Sequence, residues 1–309
     1  MRFSKVGILG LGLSLLVSGC ASSPDLMPPK VVDIFVLDLS TSNDKNSQLQ
    51  RLDEDLNRSL TDNGLGVPKP VSNEKVSGPV TTIFTFIEDS ALKAESFKLQ
   101  EALPAEKLWQ DEFATDHDRN ARSWSELSSA YNAYLKGALK DFSMSGCTSD
   151  LDKSLKLKFV ADRKRTRIVR VLCDKINLLT ASYSDMRNYV SSVSAPATDI
   201  FGMLSKVDRL VNQIATDDPS AVITVNIGSD MQHETGDSRD TPAKLSAVNY
   251  ERSKACDLGS ADRSKEGLTF DKKAVVKVNG IGNANISAEF GNALVRYWEC
   301  FFEPTAEIR

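Results

Sequence analysis

The sequence predicts an α/β fold: a doubly wound, mostly parallel sheet carrying a helical insertion. Two observations carry this expectation. Short runs rich in Val, Ile, Leu and Phe recur along the chain, and apolar stripes of helical period separate them. No internal repeat is visible, so one domain with an insertion is the simplest organisation.

The chain opens MRFSKVGILGLGLSLLVSGC. Arg2 and Lys5 precede an apolar run from Val6 to Val17, which is shorter than the roughly 20 residues a membrane-spanning helix needs. That is the form of an export leader. Its end, Leu16-Val17-Ser18-Gly19-Cys20, resembles the bacterial lipobox, in which the cysteine is lipidated and becomes the new N-terminus. The resemblance implies a signal peptide over 1–19, lipid on Cys20, and a Pro- and Ser-rich tether over 20–30 (CASSPDLMPPK). Ala21, rather than Asp, follows Cys20; by resemblance to Gram-negative lipoprotein sorting, this implies the outer membrane, facing the periplasm.

The folded region then runs from 31 to 309. Val31 to Leu39 reads as a strand covered on both faces. Leu49, Leu52, Leu56 and Leu60 mark a helix over 43–63 that Gly64 ends. Val80 to Ile87 is a second strand, and Ser96 to Leu103 a candidate antiparallel edge. A helical insertion is expected over about 106–195. Within it, Trp124, Leu127, Tyr131, Leu135 and Phe142 form one stripe, and 151–192 also reads as helix. Phe201, Leu204, Val207 and Val211 mark the next helix. Strands return at Ala221 to Ile227 and Ala274 to Val278, and a last helix covers 286–302.

With 309 residues, 41% of them hydrophobic, the chain can bury a substantial core. A formal charge of −4 excludes a dedicated nucleic-acid binder, and two histidines exclude a multi-histidine metal enzyme. Beyond Cys20, four cysteines remain: Cys147, Cys173, Cys256 and Cys300. They form no zinc-type spacing, and in an exported chain they read as two disulfides. Three connectivities are open; pairing sequence neighbours, Cys147–Cys173 and Cys256–Cys300, is preferred.

The chemistry concentrates at strand ends. The first strand runs into Asp38-Leu39-Ser40-Thr41-Ser42, where an open parallel sheet binds its ligands. Oxygen donors in a D-x-S-x-S turn suit a hard cation. Pro196-Ala197-Thr198-Asp199 lies in a loop that opens a helix, with Asp199 as its cap. The strand at 221–227 runs into Gly228-Ser229-Asp230. Together these stretches resemble the von Willebrand factor type A domain and its metal-ion-dependent adhesion site on a Rossmann-like sheet.

The resemblance covers about 31–105 and 195–303, including the Gly280-Ile281-Gly282 turn. It implies a Mg²⁺ (or Mn²⁺ or Ca²⁺) at Asp38, Ser40, Ser42, Thr198 and Asp230. The hydroxyls would bind directly, and one or both aspartates mainly through water. The partner would be another envelope protein offering an acidic side chain, and the function binding rather than catalysis. The departures are Ser229-Asp230-Met231 where Thr-Asp-Gly is commoner, Ala197 where many relatives have Gly, and above all the stretch of roughly a hundred residues between the candidate edge strand and Thr198, more than a minimal domain requires.

Other residues receive plainer readings. His117 and His233 are expected in solvated loops, and Trp124 and Trp298 in the core. The basic run Lys153 to Arg170 reads either as a solvated helix face or as a contact for anionic lipid or an acidic partner. No nucleophile elbow or P-loop is present. A metal-dependent phosphohydrolase using Asp38 is the enzyme alternative, although Ser40 stands where its general-acid aspartate belongs. A structural lipoprotein with a metal-free site is the third reading.

Overall fold

The computed structural model describes residues 30–40, 44–62, 80–91, 94–100, 147, 162–236, 238–281, 286–302 and 306–308. Six strands form one sheet: β1 (Val31–Asp38), β2 (Val80–Ile87), β3 (Ser96–Gln100), β4 (Val222–Gly228), β5 (Val275–Asn279) and β6 (Glu307–Ile308). Their spatial order is β3-β2-β1-β4-β5-β6, with β3 antiparallel to β2 and every other pairing parallel. Strand order therefore reverses between β1 and β4. The fold class expected from the sequence is present as an α/β architecture with a mostly parallel mixed sheet.

Alternation along β1 assigns its two faces. Val32, Ile34 and Val36 enter a core with Phe201 and Leu204 of α3 (Ile200–Asp217) and Leu294 and Trp298 of α6 (Ala288–Phe301). In register, Ile34 lies beside Ile83 and Val225, so neighbouring strands extend this apolar face. On the opposite face Phe35 stacks on Phe84 at 5.1 Å, and Phe86 meets Tyr189 at 5.3 Å. Tyr189 belongs to α2 (Asp162–Ser192), whose Val169, Cys173, Ile176, Tyr183, Met186 and Val190 form a buried stripe of helical spacing. Leu52 and Leu56 of α1 (Lys45–Asp62) are buried as well.

The end of α2 is fastened to the beginning of α1. The Lys45 ammonium donates to the carbonyls of Val190, at 3.0 Å, and Val193, satisfying acceptors a helix leaves open at its C-terminus. Ser40 and Ala195 add a β-bridge beside it.

Two helices precede β5 that the apolar pattern does not announce: α4 (Thr241–Ala247) and α5 (Arg252–Glu266). In α5 the buried positions are Ala255, Gly259 and Asp262. A Cβ at Gly259 would stand 2.1 Å from the Tyr297 carbonyl oxygen, so glycine is what lets α5 lie against α6. The Cys256–Cys300 disulfide staples the same two helices, and Cys147–Cys173 ties position 147 to α2. Both are the preferred sequence-neighbour pairings.

Several sequence expectations lie outside the described residues: the leader and Cys20, Ser42, the 121–142 stripe with Trp124, His117, and Lys153, Lys156 and Lys158. No described helix is long and apolar enough to cross a membrane.

Candidate functional site

Asp38 is the last residue of β1 and is buried at the point where strand order reverses. Its Oδ1 accepts from the Ser40 N–H at 2.9 Å, which closes a tight turn, and its Oδ2 accepts from the Ser229 hydroxyl at 2.8 Å. Ser229 follows β4, so this contact joins the ends of the two strands that flank the switch point. Gln48 of α1 donates to the Ser40 carbonyl at 3.1 Å and fixes the turn from the helix side.

Burial pushes the Asp38 carboxyl up from its ordinary value; hydrogen bonds from Ser40 and Ser229 and the Arg51 guanidinium pull the other way. Asp230 is half-buried beside it. Burial and the like charges of Asp38 and Glu234 raise its pKa to about 6, against bonds from Gln232. The Gln232 N–H reaches Asp230 Oδ1 at 3.0 Å, and its side-chain amide reaches Oδ2 at 3.1 Å. The arrangement thus holds two carboxyls whose charged forms burial disfavours, with the Asp38 charge adding to the shift of Asp230.

The Thr198 loop meets the Asp230 loop through a two-way backbone bridge. The Thr198 N–H donates to the Glu234 carbonyl at 3.3 Å, and the Thr198 carbonyl accepts the Glu234 N–H at 3.2 Å. Thr198 itself is buried. Asp199 caps α3, its Oδ1 accepting from the Gly202 N–H at 2.9 Å, while its Oδ2 accepts from the Ala91 N–H at 3.3 Å. The cap expected for Asp199 is therefore present, and its second oxygen also ties the loop to Ala91. Asp38, Ser40, Thr198 and Asp230 all lie in connected turns at the carboxyl edge of the sheet; Ser42 lies outside the described residues.

Three features of this edge escape a reading of the sequence. Ser229 is a ligand of Asp38 and not merely a departure from a commoner threonine. Met231 takes a left-handed backbone conformation (φ 60°) that a bulky residue rarely adopts. It is held there by its N–H donating to the Ser229 Oγ and by the Trp298 indole donating to its carbonyl, both at 2.9 Å. The third is a correction. His233 is fully buried rather than solvated, because the Met231 turn sends the chain inward against α3. A proline or glycine signal at 231 would have flagged the turn, and the sequence has neither.

Among the described residues, no group of three or more His, Cys, Asp or Glu side chains is placed to hold a metal. Any cation at this edge would rely on the two aspartates together with hydroxyl oxygens. No family model, curated protein or solved structure matches the chain.

Proposed function

We propose that this chain is a lipid-anchored protein of the cell envelope whose domain is von Willebrand factor type A-like and binds a partner protein. The contact would run through a Mg²⁺, Mn²⁺ or Ca²⁺ held by Asp38, Ser40, Ser42, Thr198 and Asp230. The observation that carries this reading is the meeting of Asp38, Ser229 and Asp230 at the switch point of a 3-2-1-4-5-6 sheet. Two further facts support it. The Thr198 loop is bridged to the same edge, and Met231, where the resemblance has glycine, adopts the positive φ that glycine favours.

The residues present fit a hard divalent ion. Burial raises both carboxyls, and the Asp38 charge raises Asp230 further, so a nearby cation would stabilise both as anions; the remaining donors are hydroxyl oxygens. Bound there, the ion would supply an electrophilic position for an acidic side chain of the partner. Ser40 and Ser229 orient the Asp38 carboxylate, and the Thr198–Glu234 bridge sets the spacing of the other two loops.

One observation favours a metal-free, structural reading instead: both Asp38 oxygens already accept hydrogen bonds. Calorimetry with Mg²⁺ and Mn²⁺ on wild type and Asp38→Ala separates the two. Metal binding in wild type that Asp38→Ala abolishes supports the adhesion site; equal, negligible heats in both leave the metal-free reading. Affinity capture from membranes, with and without chelator, then reports whether partner retention depends on the ion.

A further inference from the structure

We infer that His233 is a positioning residue for this site, acting as a neutral clamp that holds the Thr198 loop against the Asp230 loop. The inference rests on the reading of those two loops as one binding site, although the clamp itself is independent of any metal.

The imidazole is fully buried between the loop after β4 and the start of α3. Its Nδ1 accepts the Ile200 N–H at 3.1 Å, and its Nε2 lies 2.9 Å from the Thr235 hydroxyl. The ring packs edge-on against Phe201 at 4.8 Å, and its own carbonyl accepts the Thr241 N–H that begins α4. Ile200 is the first residue of α3, two positions after Thr198. One ring therefore joins the N-terminus of α3 to the loop that carries Asp230.

An acceptor facing an N–H donor must be unprotonated, so Nδ1 carries no hydrogen and Nε2–H donates to Thr235. A proton added at Nδ1 would point at the Ile200 N–H and break the tie. The positive end of the α3 dipole opposes a second cation at the same place. Charged groups beside the residues it touches include Asp199 at the α3 cap, Glu234 and Asp240 on its own loop, and Arg239, whose guanidinium lies over the Phe201 ring. Asparagine at 233 can place its amide oxygen where Nδ1 stands. Glutamine extends instead toward the Nε2 position, so the pair separates the acceptor role from bulk polarity.

The test uses the intact chain. With two histidines present, a His117→Gln background leaves a single imidazole for nitrogen NMR. The expected result is an Nδ1 without hydrogen and a protonated Nε2 at neutral pH. Amide exchange at Ile200 is then expected to speed up about tenfold or more in His233→Gln and to stay near wild type in His233→Asn. A hydrogen on Nδ1 at neutral pH, or equal exchange in the Asn and Gln variants, overturns the clamp. Mg²⁺ titration of the same variants reports the site separately. If wild type binds no metal while the exchange pattern holds, the metal reading fails and the clamp stands.

Discussion

The Ser229 hydroxyl donates to the buried Asp38 carboxylate at 2.8 Å, joining residues 191 positions apart at the ends of neighbouring strands. The same hydroxyl oxygen accepts the Met231 N–H, so one serine holds both the carboxylate and the strained turn behind it.

Ser229→Ala removes a donor from a buried acceptor and an acceptor from a buried N–H. The expected cost is about 1–3 kcal/mol, read as a lower denaturant midpoint with an unchanged slope. Ser229→Thr keeps the hydroxyl and is expected to lose much less. Equal losses in the two variants would show that the hydroxyl contributes nothing there.

Asp230 and Asp55 both have carboxyls raised from 3.8 to about 6, chiefly by burial. A folded-state value above the unfolded one means that folding favours the protonated acid. That contribution is fully present below pH 3.8 and fades as pH rises through about 6. Metal-free stability should therefore decline across that window. Asp230→Asn removes its share, so the decline becomes shallower, measured as denaturant midpoints at several pH values. An unchanged slope contradicts the burial of this carboxyl.

Gly259→Ala places a methyl group against the Tyr297 carbonyl oxygen at the crossing of α5 and α6. Backbone cannot yield as a side-chain tip can, so the helices must part. A loss of about 1–3 kcal/mol is expected, with the melting temperature as readout. A neutral effect would mean that the two helices do not approach as closely as described.

Most of the sheet is legible in the sequence, because β1, β2, β4 and β5 are compact β-branched or aromatic runs; the two-residue β6 (Glu307–Ile308) carries no such signal and is not expected from it. β2 spans Val80–Ile87, the range its composition predicts. The helix pair α4 and α5 is not legible, for a physical reason. α5 buries Ala255, Gly259 and Asp262, so its packing relies on small size and on the Asp262 pairing with Tyr297 and Lys244, each at 2.5 Å, and leaves no apolar stripe to read. At the candidate site, the position of Asp38 and Ser40 at a strand end is legible from the apolar run that precedes them. Ser229 and His233 are not legible, because their roles depend on a left-handed methionine and on a buried backbone donor 33 residues away. Neither has a signature in local composition.

The ammonium of Lys45, seated on the final carbonyls of α2, has a mechanical meaning. It couples a helix of 31 residues to the segment that leaves β1. Together with the Ser40–Ala195 bridge, this contact anchors the C-terminal end of the longest described helix beside the turn that follows the first strand.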